Sequence, residues 1–231
     1  MSTADKKAAV KALFNEHVNP LMTAMRFART GRAYRRYNAE GDAVVVEFRT
    51  SSVSTPETYV FLIELALVPS VWLRWMRHEA IWKAEGEPRV GEGLVECRLK
   101  PAAADKPVDV ERGLRVLARG TFISELMPGL PRWSVDSGES VAACGREITE
   151  RLPAVATAYI ELLDRNVFLQ RLRDGEKLPG TCPKLAARAV LLLEGGMTDE
   201  LDQVLDDINF QGTGNDFVSW VRSQMPPPRD Q

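Results

Sequence analysis

The sequence predicts an α+β fold, with one N-terminal helix packed on a mostly antiparallel sheet of four to five strands and a helical C-terminal region after it. An amphipathic stripe opens the chain, three strand-like runs joined by turn residues follow, and from Ser137 onward the pattern is helical throughout. Such segregation of strands and helices along a chain is the mark of α+β architecture rather than of an alternating, doubly wound one. The expected organisation is an α+β domain over residues 1–136, a helical region over 137–225 and a loose tail over 226–231.

The first helix is expected over Lys6–Ala28. Val10, Leu13, Phe14, Val18, Leu21, Met22 and Met25 recur every three or four residues, which places them on one face turned to a core. Pro20 should kink or divide this helix, because proline lacks the amide donor and crowds the preceding turn. Gly31 offers a stop.

The sheet begins with a meander over Ala33–Tyr37, Ala43–Phe48 and Tyr59–Val68, with Gly41-Asp42 as the turn between the first two runs. In the third run the two-residue period puts Tyr59, Phe61, Ile63, Leu65 and Leu67 on one face and Val60, Leu62, Glu64, Ala66 and Val68 on the other. A strand apolar on one side and nearly so on the other belongs in the middle of its sheet, and Pro69 ends it. Leu94–Leu99 alternates Val95, Cys97 and Leu99 with Glu96 and Arg98, so it reads as a strand with one wet face. Trp133–Val135 is a further short strand.

Between these strands, Ser70–Glu85 reads as a helix, capped by Ser70 and stopped by Gly86. Later helices are expected over Ser140–Leu152, Pro153–Leu163, Arg165–Arg173, Pro183–Leu193, Thr198–Ile208 and Asp216–Met225. Thr198 is a good N-cap, and Asp199 and Glu200 suit the positive end of the helix dipole.

Composition narrows the function class without fixing it. The 231 residues are 45% hydrophobic and 27% charged, ordinary for a globular protein with a sizeable core. The chain has no apolar span long enough for a bilayer and no secretory h-region near its start, so a cytoplasmic location is the expectation. Cys97, Cys144 and Cys182 form no disulfide framework, and with His17 and His78 as the sole histidines no zinc-type spacing exists. Reduced, mostly buried cysteines and no cofactor are expected.

The net charge of −2 is unevenly spread. Up to Ala39 there are eight basic residues, Lys6, Lys7, Lys11, Arg26, Arg29, Arg32, Arg35 and Arg36, against Asp5 and Glu16. Between Arg188 and Arg222 there are seven acids and no Lys or Arg. This polarity could steer a charged partner. Solvated helix faces that pair with one another would show the same pattern, and the overall charge falls short of a nucleic-acid binder's footprint.

A helix ending in Phe27, then Gly31-Arg32-Ala33-Tyr34-Arg35-Arg36, a valine-rich strand closing on Phe48-Arg49-Thr50-Ser51 and the Tyr59–Leu67 strand together resemble the bacterial domain of unknown function 4304. Cys97-Arg98-Leu99 and Pro131-Arg132-Trp133 follow the same layout, and the resemblance runs over roughly Val10–Val135. Where that family has a glutamine after the strand phenylalanine, this chain has Arg49. The resemblance implies a helix on an antiparallel sheet and no catalytic residues.

Three groups of residues carry chemistry worth weighing. Glu64 sits in an apolar strand, where a carboxylate is costly unless paired; Arg36 or Arg49 on a neighbouring strand could supply the partner, as a structural pair or as the start of a polar pocket. Trp72, Trp75 and Trp82 alternate with Arg74, Arg77 and Lys83; they could stack a ligand or anchor a protein interface, or fill a core. His78-Glu79 are adjacent on a helix, about 100° apart, and do not orient one another. No nucleophile elbow, phosphate loop or metal-carboxylate pair is present.

The expected function is therefore that of a bacterial, non-enzymatic binding protein, immunity- or adaptor-like, acting through protein–protein contacts. One version sets the acidic stretch Glu194–Asp216 against a basic partner. The alternative is a small-molecule-binding protein or enzyme with a polar pocket on the sheet around Glu64. Nucleic acid and membrane are not expected partners, and the oligomeric state is left open.

Overall fold

An N-terminal helix packs on a six-stranded antiparallel sheet, and helices complete the C-terminal part. The structure, a computed structural model, describes residues 3–52, 54–55, 58–78, 86–102, 132–136, 138–196, 198–210 and 215–225.

The first helix starts as α1 (Thr3–Ala12), passes through a π-helical stretch at Leu13–Val18 and continues as α2 (Asn19–Ala24). The sequence reading expected Pro20 to kink or divide the helix and expected it to reach Ala28. The helix ends at Ala24, short of Ala28, and it is divided ahead of Pro20: the Asn19 N–H reaches back to the Phe14 carbonyl, the longer bond of a π turn, and Pro20 falls in the first turn of α2. The wider turn makes room for the proline ring, and a first-turn amide needs no helical partner. Leu13, Phe14, Val18 and Met22 are buried along this helix.

Its end is made by Arg26, in the left-handed region at φ 61°, and not by Gly31. The Phe27 N–H bonds the Met22 carbonyl and the Arg26 N–H bonds the Thr23 carbonyl, both at 2.9 Å. That is a Schellman cap, completed by burial of Met22 and Phe27. Gly31, at φ 66°, serves instead in the two-residue turn between β1 (Ala28–Thr30) and β2 (Ala33–Tyr37). The wholly exposed β1 carries no alternation that would have predicted it; pairing with β2 makes it a strand.

The sheet continues through β3 (Ala43–Thr50), β4 (Tyr59–Val68) and β5 (Val95–Leu99), in the order β1-β2-β3-β4-β5. A sixth strand, β6 (Trp133–Val135), pairs with the start of β4 in the register Tyr59↔Val135, Val60↔Ser134, Phe61↔Trp133. The Tyr59–Val68 run is thus an interior strand, paired on both edges, and Phe61 and Ile63 are fully buried.

Two units make up the chain. The first comprises Met1–Arg36, Val45–Leu65 and Cys97–Ala158. Its core is a line of rings: Phe14 meets Phe48 edge-on at 5.2 Å, Phe48 meets Phe61 at 6.2 Å, and Phe61 stacks on Trp133 at 6.5 Å. The Trp133 indole donates to the Leu99 carbonyl at 3.0 Å, so its polar edge is satisfied. The second unit comprises Tyr37–Val44, Ala66–Glu96 and Tyr159–Gln231. It contains α3 (Ser70–His78) and the helices from Arg165 onward.

In place of separate helices over Ser140–Leu152 and Pro153–Leu163 there is one, α4 (Gly138–Glu161), with Pro153 inside it. Its buried stripe, Val141, Cys144, Ile148, Leu152, Ala156 and Tyr159, runs unbroken past the half-buried proline. Burial of that stripe outweighs the roughly 3 kcal/mol that an interior proline costs. After it come α5 (Arg165–Arg173), α6 (Lys184–Gly195), α7 (Thr198–Phe210) and α8 (Asn215–Gln224). Gly196 closes α6 at φ 67° before the hairpin to α7. The expected tail 226–231, the end of the Ser70–Glu85 helix with Trp82, and the side chain of Thr198 lie outside the described residues.

Candidate functional site

Glu64 is buried and held by two arginines. Its Oε1 accepts from Arg49 Nη2 at 2.8 Å and from Arg98 Nη2 at 2.6 Å, with Arg98 Nε at 3.1 Å. Arg49 was an expected partner. Arg36 goes elsewhere, donating to the Met25 carbonyl at 2.9 Å at the end of the first helix. Arg98 was missed, although its place on the wet face of the Leu94–Leu99 run was the available signal. Three side chains from β3, β4 and β5 thus meet on one face, and the buried carboxylate is compensated where it stands.

Trp72 and Trp75 belong to an aromatic cluster of the second unit. Phe217 lies edge-on to Trp72 at 6.1 Å and to Trp75 at 5.2 Å, and Trp220 lies 5.4 Å from Trp75. Trp75 is buried; Trp72 is half-buried, its indole nitrogen without a hydrogen-bond partner among the described residues. His78 stands 6.3 Å from Trp75 and 6.5 Å from Trp220, among rings, and Glu79 lies outside the described residues. This arrangement is a packed core with a polar rim.

Cys144 is buried and Cys97 and Cys182 are half-buried, all as free thiols. Burial pushes the Cys144 thiol up to about 12, with Glu147 adding to it, and burial raises Cys182 to about 12 despite Lys184. Neither has the low pKa of a nucleophilic cysteine. Among the described residues no group of three His, Cys, Asp or Glu could hold a metal, and no helix is long and apolar enough to cross a membrane.

Among the described residues a cleft of about 460 Å³ lies in the first unit. One wall is α1 and the π stretch, which supply Lys6, Lys7, Val10, Lys11, Phe14 and Asn15. The other is the sheet edge, with Arg29 on β1, Arg32 in the β1–β2 turn, Thr50 at the end of β3, Ser54 beyond it and Tyr59 at the start of β4. Five cations line the cleft and no described carboxylate does.

Local chemistry fixes the two arginines. Arg29 donates to Asn19 Oδ1 at 2.9 Å and to the Gly31 carbonyl at 2.8 Å, with its guanidinium 5.5 Å from the Phe14 ring and 5.8 Å from Tyr34. Arg32 donates to Thr50 Oγ1 and lies 5.6 Å over the Tyr59 ring. Such hydrogen bonds and ring faces order a guanidinium before any ligand arrives. Tyr34 anchors the same corner, its hydroxyl donating to Asn19 Oδ1 at 2.6 Å; burial pushes its pKa up to about 12, against the pull of Arg29. It stays a neutral donor at physiological pH.

The lysines are less constrained. Lys6 reaches the Thr55 carbonyl at 2.5 Å, while Lys7 and Lys11, one turn apart on α1, make no ion pair among the described residues. Sequence reasoning registered the basic excess before Ala39 but not its convergence. The i,i+4 spacing of Lys7 and Lys11 was legible; the approach of Arg29 and Arg32 depended on β1, which was not. Comparison of the chain with protein-family models, with curated proteins and with solved structures gives no match in any of the three.

Proposed function

We propose that this is a non-enzymatic binding protein of a bacterial cytoplasm, and that it recognises an anionic group of its partner through the basic cleft. The observation that carries the reading is the cleft itself: five cations on two facing elements, two of them pre-ordered, with no described carboxylate to neutralise them. Unpaired like charges repel one another, so a fold that gathers them gains from an anion that fills the gap.

The acidic C-terminal stretch is weaker as a docking surface. Glu194 is held by Arg74 at 3.0 Å and Arg165 at 2.8 Å, Glu200 by Arg188 at 3.0 Å and by Arg173, and Asp206 by Arg222 at 3.4 Å. The Arg173 and Arg188 hydrogen bonds draw the Glu200 carboxyl down to about 2. Three of the seven acids between Arg188 and Arg222 are thus already matched within the unit. The pocket reading around Glu64 is weakened in the same way by Arg49 and Arg98.

Retention on an immobilised polyanion tests the proposal. A chain of net charge −2 has no global reason to be held there at neutral pH, so retention reports a local basic patch. The wild-type protein should bind at low ionic strength and elute with salt, and the Lys7→Glu, Lys11→Glu double variant should pass through. Passage of the wild-type protein at low salt would refute the proposal.

A further inference from the structure

We propose that the cleft takes a small ligand carrying two or more linked phosphate groups, on a free phosphoanhydride or on a nucleoside diphosphate. This inference rests on the anion-binding reading of the cleft and specifies its ligand.

Charge stoichiometry is the first reason. A single carboxylate would neutralise one of the five cations, whereas a terminal phosphate brings about −1.5 to −2 charges and a phosphate linked to it about −1 more. Linked phosphates therefore match the cleft with one molecule.

Donor geometry is the second. Lys6, Lys7 and Lys11 approach from the helix wall, and Arg29, Arg32 and the Tyr59 hydroxyl from the sheet edge, where the Ser54 hydroxyl is already engaged by the Val60 backbone. A carboxylate presents its acceptors in one plane. Tetrahedral phosphates present them in several directions, which suits donors on opposite walls. Arginine adds a planar fork for paired oxygens, and lysine serves as a point charge.

Size is the third. A cleft of about 460 Å³ is in the range of small-molecule sites, roughly 300–1,000 Å³, and exceeds what a diphosphate fills alone. Space remains for an organic group beside the apolar stem formed by Val10 and Phe14.

Isothermal titration of the full chain with inorganic pyrophosphate, ADP, citrate and a single-stranded oligothymidylate, at matched ionic strength, tests the inference. Pyrophosphate or ADP should bind at least about tenfold more tightly than citrate, the phosphates being the better match to a fork plus point charges. If pyrophosphate alone accounts for the affinity, the source is a free phosphoanhydride; if ADP is tighter, it is a nucleotide, and both support the proposal. Arg32→Lys, which keeps the charge and loses the fork, should weaken pyrophosphate binding about tenfold, and Lys11→Ala only a few-fold. Arg32 is exposed in a turn, so neither change threatens the fold. Citrate binding as tightly as pyrophosphate overturns the inference while leaving the anion-binding proposal standing. Preference for the oligonucleotide over both phosphate ligands overturns it too, and absence of binding together with passage through the polyanion column removes both.

Discussion

Arg165 holds Asp42 with a pair of parallel hydrogen bonds, Nε to Oδ2 at 2.6 Å and Nη2 to Oδ1 at 2.7 Å, across 123 residues of sequence. The same carboxylate accepts from the Ser70 N–H at 2.8 Å, capping α3, and from Asn38 Nδ2 at 3.1 Å. Asn38 in turn donates to the Leu163 carbonyl at 2.9 Å. One buried carboxylate thereby ties a β-turn, a helix start and the α4–α5 corner within the second unit.

That linkage sets a pH dependence. Burial works to raise the Asp42 carboxyl, but the Arg165 hydrogen bonds, the Ser70 N–H and the Arg165 charge together hold it below its ordinary 3.8. As pH falls, the unfolded chain takes up its proton first. The stabilisation is therefore full above about pH 4 and disappears as pH drops through the folded value. Asp42→Asn should cost about 3–5 kcal/mol at pH 7, because it leaves Arg165 half-matched in a buried site, and should make stability less steep in acid. Urea midpoints at pH 7 and pH 3 check this; an unchanged acid slope in the variant would exclude Asp42 as its source.

Arg26 closes the first helix in a backbone region that suits glycine. Its side chain is exposed and makes no hydrogen bond or ion pair among the described residues, so little is lost with it. Arg26→Gly should stabilise the protein by about 1 kcal/mol, the left-handed penalty of an L-residue less the entropy of a glycine in the unfolded chain. Thermal melts would show a rise in Tm. A fall would mean that the Arg26 side chain contributes more than its exposure indicates.

Gly145 lies inside α4 where a methyl group would overlap the His17 imidazole of the π stretch. Alanine would gain about 1 kcal/mol of helix propensity, but overpacking against a ring between two helices costs about 1–3 kcal/mol. Gly145→Ala should therefore be destabilising by up to about 2 kcal/mol, and the double variant with His17→Ala should recover most of that loss. A double-mutant cycle with no coupling would show that the two residues do not meet.

Much of the architecture was written in local patterns. The two-residue period of Tyr59–Val68, its near-continuous apolar character and Pro69 after it were enough to make that run an interior strand. The stripe from Val10 to Met25 placed the first helix on the sheet. Each is a short-range property that the chain carries whatever its neighbours are.

What sequence alone left undecided depended on partners distant along the chain. Pro20 is accommodated because a π turn precedes it, and Pro153 because a continuous buried stripe runs past it. Arg98 joins Arg49 at Glu64 because β5 lies beside β4, and that choice frees Arg36 for the end of the first helix. Arg29 and Arg32 come to face Lys7 and Lys11 only once β1, a strand with no pattern of its own, pairs with β2. A charge can be read from its residue, but the field it builds with others depends on distances that folding sets.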